Sequence, residues 1–187
     1  MHPFIYINGY PGVGKLTVAK ELCKLLPKAK LVSNHLLIDP VAAIFERTGE
    51  EYQPLRQLLR RQVLKSMAIS TSTRDVTWVF TDQQSSSALG SSAARDYQEA
   101  AAVRASPFIS IILHCELNEN LKRAVGGDRG NNSNTKLTDQ GILQNIKKKE
   151  DIFQFHDKYE LVLEVTNLSP SEAATKIYEH IGKVLQK

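Results

Sequence analysis

Short apolar runs and amphipathic stretches alternate along the chain. Phe4 to Asn8 is an apolar run that ends in a Gly-rich turn, and it reads as a buried strand. Lys15 to Leu26 follows at helical spacing, with Val18, Leu22, Leu25 and Leu26 on one face and Pro27 as its stop. Ala29 to Ser33 is a weaker second strand. Leu36 to Arg47 and Pro54 to Ser70 carry helical patterns. Val76 to Thr81 is a strong third strand, and Phe108 to His114 a β-branched fourth. Between them, Ser85 to Ser92 reads as a flexible Ser-rich loop and Ala93 to Ala105 as an Ala-rich helix ended by Pro107. Asn118 to Val125 is a short helix. Gly126 to Asn134 has no apolar residue and reads as a loop. Asp139 to Asp151 returns to helix, and Leu161 to Val165 is a fifth strand. Ser169-Pro170-Ser171-Glu172 opens a last helix that runs to about Leu185.

Apolar strands alternating with helices predict an α/β protein, a three-layer sandwich with a parallel sheet covered on both faces. The chain has 187 residues and 42% hydrophobic content, which fits one domain over 1–187. No apolar run approaches the length of a membrane span, so no membrane is expected as a partner. The N-terminus lacks the basic and long apolar regions of a secretory signal. Cys23 and Cys115 show no metal-like spacing and read as buried thiols of a reducing cytoplasm. The net charge of +4 suits phosphate handling but is no basic stripe of a dedicated nucleic-acid binder.

The candidate chemistry begins at the first turn. Gly9-Tyr10-Pro11-Gly12-Val13-Gly14-Lys15 satisfies G-x-x-x-x-G-K between a strand and a helix. Glycines let the backbone fold round an anion with its N–H groups inward. The helix N-terminus adds partial positive charge, and Lys15 can reach the outer phosphates. Gly9, Pro11, Gly12, Val13, Gly14, Lys15, Leu16 and Thr17 are therefore the expected contacts for a nucleoside triphosphate. Leu16 stands where the general pattern has Ser or Thr, a departure that bears on metal binding, and Thr17 comes next. No guanine-recognition motif is present, which favours ATP.

The pattern G-x-P-G-x-G-K-x-T resembles the loop of adenylate kinase and related small P-loop kinases. With Asn34-His35 and Asp39, the arginines of 123–129 and Thr166 to Ala174, the chain is similar to a broad P-loop kinase-like family. That family includes shikimate kinase, chloramphenicol phosphotransferase and an uncharacterised AAA-type branch. The resemblance implies a five-stranded sheet in the order 2-3-1-4-5 and a kinase-type lid at about 123–138. It also implies ATP and Mg²⁺ as cofactors and a small-molecule hydroxyl acceptor. His35, Asp39 or Asp82 would orient or deprotonate that hydroxyl, and Asp82 would join Thr17 at the metal. Lys15, Arg123 and Arg129 would neutralise the transferring phosphoryl, with Lys136 beyond. Thr166 and Asn167 would meet the base. Blander roles are open too: Asn34 as a helix cap, Asp39 as a surface charge, Asp82 as a turn cap. Asp82-Gln83-Gln84 replaces the glycine triplet of shikimate kinase, and no D-G-F-P-R-like stretch follows the third strand. Neither the shikimate nor the adenylate kinase specificity is therefore expected. A polynucleotide 5′-hydroxyl kinase, using Arg56, Arg60, Arg61 and Lys147 to Lys149, is an alternative but nucleic acid is not the favoured partner. A non-catalytic nucleotide-binding module or ATPase is another.

Overall fold

Side chains of successive strand residues point to opposite faces, and β1 (Phe4–Gly9) shows what that does here. Phe4 and Tyr6 enter one core, Ile5 and Ile7 the other, and all four are fully buried. The four remaining strands are β2 (Ala29–Ser33), β3 (Thr77–Thr81), β4 (Phe108–His114) and β5 (Leu161–Glu164). In the computed structural model, which describes residues 2–125 and 151–186, they form one sheet in the order β2-β3-β1-β4-β5. Every pairing is parallel, with Ile5 beside Val79 on one side and Ile109 on the other. This is the α/β architecture and the strand order expected from the sequence.

Six helices are described: α1 (Lys15–Leu25), α2 (His35–Ala42), α3 (Tyr52–Ile69), α4 (Ala88–Val103), α5 (Leu117–Val125) and α6 (Pro170–Leu185). α1 and α6 cover one face of the sheet, where Val18, Leu22, Ile177 and Ile181 pack on Ile5, Ile109 and Ile111. α3 and α4 cover the other, where Leu64, Met67, Ala94 and Tyr97 pack on Phe4, Tyr6, Trp78 and Phe80. The second core is aromatic: the Tyr6 and Tyr97 rings lie 4.9 Å apart and those of Phe80 and Tyr97 5.1 Å. Ser169 caps α6 in a reciprocal box with Glu172, as the Ser-Pro-Ser-Glu run indicates.

Several expectations need correction. α2 ends at Ala42 rather than Arg47. Ile44 is 66% exposed, so a longer helix would bury nothing more there. Ser85 to Ser92 is not a flexible loop. Ser85 is buried and bridged to Ile152, and Ser87 accepts from the N–H of Gly90 to start α4 five residues early. The Ser run is thus a capping signal and not a linker. The lid from residue 126 onward, Arg129, Lys136, the helix expected from Asp139 up to residue 150, and Lys147 to Lys149 lie outside the described residues.

The aromatic core has a pH consequence. Burial, and then the negative charge of Asp82, push the phenols of Tyr6 and Tyr97 well above their ordinary value of 10.0. The folded state holds these protons while the unfolded chain releases them at the ordinary value. Stability is therefore full below pH 10.0 and falls as pH rises beyond it. Urea unfolding over a neutral-to-alkaline series checks this, and Tyr97→Phe should make the alkaline fall shallower.

Candidate functional site

The site is built at the carboxyl ends of β1, β2 and β3. β1 runs straight into the phosphate loop, and two constraints force glycine there. A Cβ on Gly9 would stand 2.6 Å from the carbonyl oxygen of Leu113 on β4. Gly12 and Gly14 take φ of 82° and 101°, the left-handed region that glycine tolerates. Gly14 is the N-cap of α1. The Lys15 ammonium curls back over the loop and donates to the carbonyls of Gly9 (2.6 Å) and Tyr10 (2.8 Å).

The base of the loop hangs on Asn8, a residue the sequence reading passed over as the end of a strand. Its side chain is fully buried. Its Oδ1 accepts from the N–H of Gly9 (3.0 Å) and of Gln84 (2.9 Å). Its Nδ2 donates to the carbonyls of Gln84 (3.0 Å) and Phe153 (3.1 Å). One amide therefore joins β1, the segment after β3 and the segment that precedes β5. An amide inside an apolar run was the one signal that pointed to it.

Asp82 follows β3 and is 1% exposed. Its N–H donates to the carbonyl of Ile7, which sets it beside the phosphate loop. Its carboxylate accepts from the N–H of Gln83 (2.8 Å), from Gln84 Nε2 (2.8 Å) and from Asn34 Nδ2. Arg56 Nη2 lies 4.0 Å away. Asn34 is the cap residue of α2 but makes no side-chain cap bond; its amide goes to Asp82 instead. His35 opens α2 with Nδ1 3.6 Å from Asp39 Oδ1, one helical turn on.

A cleft of about 260 Å³ gathers these parts. Gly12, Gly14, Lys15 and Thr17 form one wall, with Asn34, His35, Asp82 and Gln83 across from them. Arg47, which sequence reasoning did not single out, also lines it. Asp39 does not line it and sits behind His35.

A second, larger pocket of about 410 Å³ lies on the other side of the loop, against Val13, Val18, Val165, Leu168 and Ala173. Arg123 belongs here rather than with Asp82 and His35. Its Nε donates to Glu119 (2.8 Å) and its Nη2 to the carbonyls of Val165 (3.2 Å) and Thr166 (2.8 Å). The guanidinium of Arg123, expected at the transferring phosphoryl, is held by the turn after β5 on this side of the loop. Thr166 and Asn167 do not line the pocket, whereas their neighbours Val165 and Leu168 do. The Thr166 hydroxyl accepts from the N–H of Glu116 (2.8 Å) and donates to Glu164.

Among the described residues, no three His, Cys, Asp or Glu side chains form a group fit to hold a metal ion alone. No described helix is long and apolar enough to cross a membrane.

No protein-family model matches the sequence, and no curated protein matches it. Solved structures do. A gluconokinase from Sinorhizobium meliloti 1021 superposes with a TM-score of 0.67 at 14% identity, covering 98% of this chain and 94% of that one. A sugar kinase from Janibacter sp. HTCC2649 gives 0.65 at 13% identity, over 97% and 95%. Shikimate kinase from Acinetobacter baumannii, in complex with shikimate, gives 0.63 at 20% identity, over 100% and 97%. The chain has the fold of these P-loop kinases.

The four bonds of Asn8 carry a prediction. Asn8→Leu matches its size but strands the N–H groups of Gly9 and Gln84 and the carbonyl of Phe153, while the Gln84 carbonyl keeps the N–H of Phe153. Each stranded group costs ~1–3 kcal/mol before relaxation. The variant should lose about 3 kcal/mol of unfolding free energy in a denaturant titration.

Proposed function

We propose that the chain transfers the γ-phosphoryl of ATP to a hydroxyl of a small molecule. The observation that carries this reading is the shared cleft. The glycine-built loop with Lys15 forms one wall, and His35 and Asp82 face it. A chain that only bound nucleotide would not need an imidazole and a buried carboxylate across from the phosphates.

The apolar pocket beside Val165, Leu168 and Arg123 suits the base and ribose of the nucleotide. The triphosphate then runs along the loop, past the N–H groups at the start of α1. The Lys15 ammonium exchanges two carbonyl partners for phosphate oxygens and offsets charge as the phosphoryl moves. Thr17 and Asp82 are the residues that fit Mg²⁺. Thr17, in the first turn of α1, lines the cleft, and Asp82 offers a carboxylate fixed by its donors. Held there with ATP, Mg²⁺ would supply neutralising charge to the phosphates.

Two groups remain for the acceptor. Asp82 is all but enclosed, while the His35 side chain is 27% exposed. His35 is therefore the residue an incoming hydroxyl can reach, and it accepts that proton on its imidazole. Asp39 orients the ring and offsets the charge that follows.

ATP turnover with Mg²⁺ across a panel of hydroxylated metabolites tests the reading. An acceptor should stimulate ADP formation, and Lys15→Ala should lower kcat at least 100-fold, the order expected for a lost transition-state cation. His35→Ala should lower acceptor-stimulated turnover by about 100-fold or more and leave ATP affinity within about twofold, since a positioned base contributes on that order. Tight ATP binding without stimulated turnover by any acceptor would instead mark a nucleotide-binding module. Stimulation by polynucleotide 5′ ends alone would move the acceptor class.

A further inference from the structure

α5 inverts the usual order of burial. Leu117, which opens the helix, is 40% exposed, while Asn120 three residues on is fully enclosed. Asn120 is the one buried side chain among those described on α5. A helix that had only to pack there would carry an aliphatic residue. The Asn120 Nδ2 donates to the carbonyl of Pro11 in the phosphate loop (2.9 Å). Its Oδ1 is buried with no hydrogen-bond partner among the described residues. An acceptor left unmade in a dry place costs stability, so the amide is a poor choice for holding the fold together.

The bond joins two walls of one pocket. Gly12 and Val13, next in the loop after Pro11, line the space of about 410 Å³ beside the loop. Glu119 and Arg123 of α5 line it from another side, with Val165 and Leu168 on a third. Asn120 stands behind the α5 wall and reaches the loop instead. Arg123 fastens the same helix to the turn after β5, through the carbonyls of Val165 and Thr166. α5 is thus held at two points about one turn apart, to the loop by Asn120 and to the turn by Arg123. The loop has its own anchors at Asn8 and Gly9, so the amide of Asn120 adds little to the shape of the loop root.

We propose that Asn120 is a positioning residue for the nucleotide: it sets the spacing between the phosphate loop and the α5 wall, so that one nucleoside triphosphate engages loop and pocket together. This rests on the placement of base and ribose in that pocket, and it concerns binding alone. The two ends of a nucleotide are covalently joined, and their contacts reinforce each other only where the two subsites stand at the matching distance.

Inorganic tripolyphosphate carries the three phosphates without base or ribose. Titration calorimetry of tripolyphosphate and of a non-hydrolysable ATP analogue, both with Mg²⁺, reads the two subsites separately. The wild type should bind the analogue at least about tenfold more tightly than tripolyphosphate, the gain coming from the apolar pocket. Asn120→Leu fills the same space without the bond, and Asn120→Ala leaves it open. Each should cut that ratio by about fivefold or more, the order expected for one lost hydrogen bond, and keep tripolyphosphate affinity within about twofold. Circular dichroism and a thermal midpoint establish that the variants are folded; should Asn120→Leu not fold, Asn120→Ala reads the same ratio. A ratio unchanged in the folded variants would overturn the proposal. An equal loss for both ligands would overturn it too, since Asn120 would then serve the loop itself. A wild type that binds the analogue no better than tripolyphosphate would remove the base from this pocket and the inference with it, and leave phosphotransfer to be judged by acceptor-stimulated turnover. The expected ratios without turnover by any acceptor would sink phosphotransfer and leave Asn120 in its role.

Discussion

The side-chain amide of Asn8 is the interaction on which the site depends. An amide has two acceptor positions and two donors, and here the acceptor takes the N–H groups of Gly9 and Gln84 while the donors meet the carbonyls of Gln84 and Phe153. Because it is fully buried, none of these bonds can be traded for water at low cost. The consequence is geometric. The start of the phosphate loop, the backbone at Gln84 and the strand-like stretch at Phe153 have one relative arrangement. Asp82 is two residues from Gln84 and inherits that precision. The position of the buried carboxylate is thus set by a residue on a neighbouring strand.

The phosphate loop is constrained from the opposite direction as well. Gly9 lies so close to the Leu113 carbonyl that any side chain would push β1 from β4. Those two strands are the centre of the sheet, and both cores grip them. The loop is therefore rigid at its root and open at its tip, where Gly12 and Gly14 take positive φ. Glycines in these conformations are what a loop needs to turn its N–H groups toward an anion.

How far the sequence was legible follows from the kind of signal each part carries. The strands and helices, the two-sided core and the glycine loop are written in local patterns, with β-branched runs, helical spacing and a seven-residue motif, while the strand order came with the family resemblance. Pairing of distant polar residues is not. The bond from Asn34 to Asp82 joins positions 48 apart, and capping chemistry predicted a different use for Asn34. Arg123 was read from its place near an expected lid, whereas Glu119 one turn earlier and two carbonyls after β5 decide where its guanidinium goes. The Ser-rich run misled for the same reason: composition suggested a linker, but Ser87 at a helix start and Gly90 packed on Ser85 make it ordered structure.

The cations show how local fixing and function divide the same residue type. Arg104 is buried and donates to the carbonyls of Met67 and Thr73; it ties α4 to the end of α3. Arg60 and Arg61 clamp Asp96 between α3 and α4. Each of these has partners that the fold itself supplies, so removing one would damage the scaffold first. Lys15 is held differently. It donates to two carbonyls of the loop it would serve, and these are neutral acceptors. A phosphate oxygen offers a charge-assisted bond of roughly twice the strength of a neutral one. In the proposed reaction the ammonium would exchange these carbonyls for a phosphate oxygen, since both lie on the loop itself.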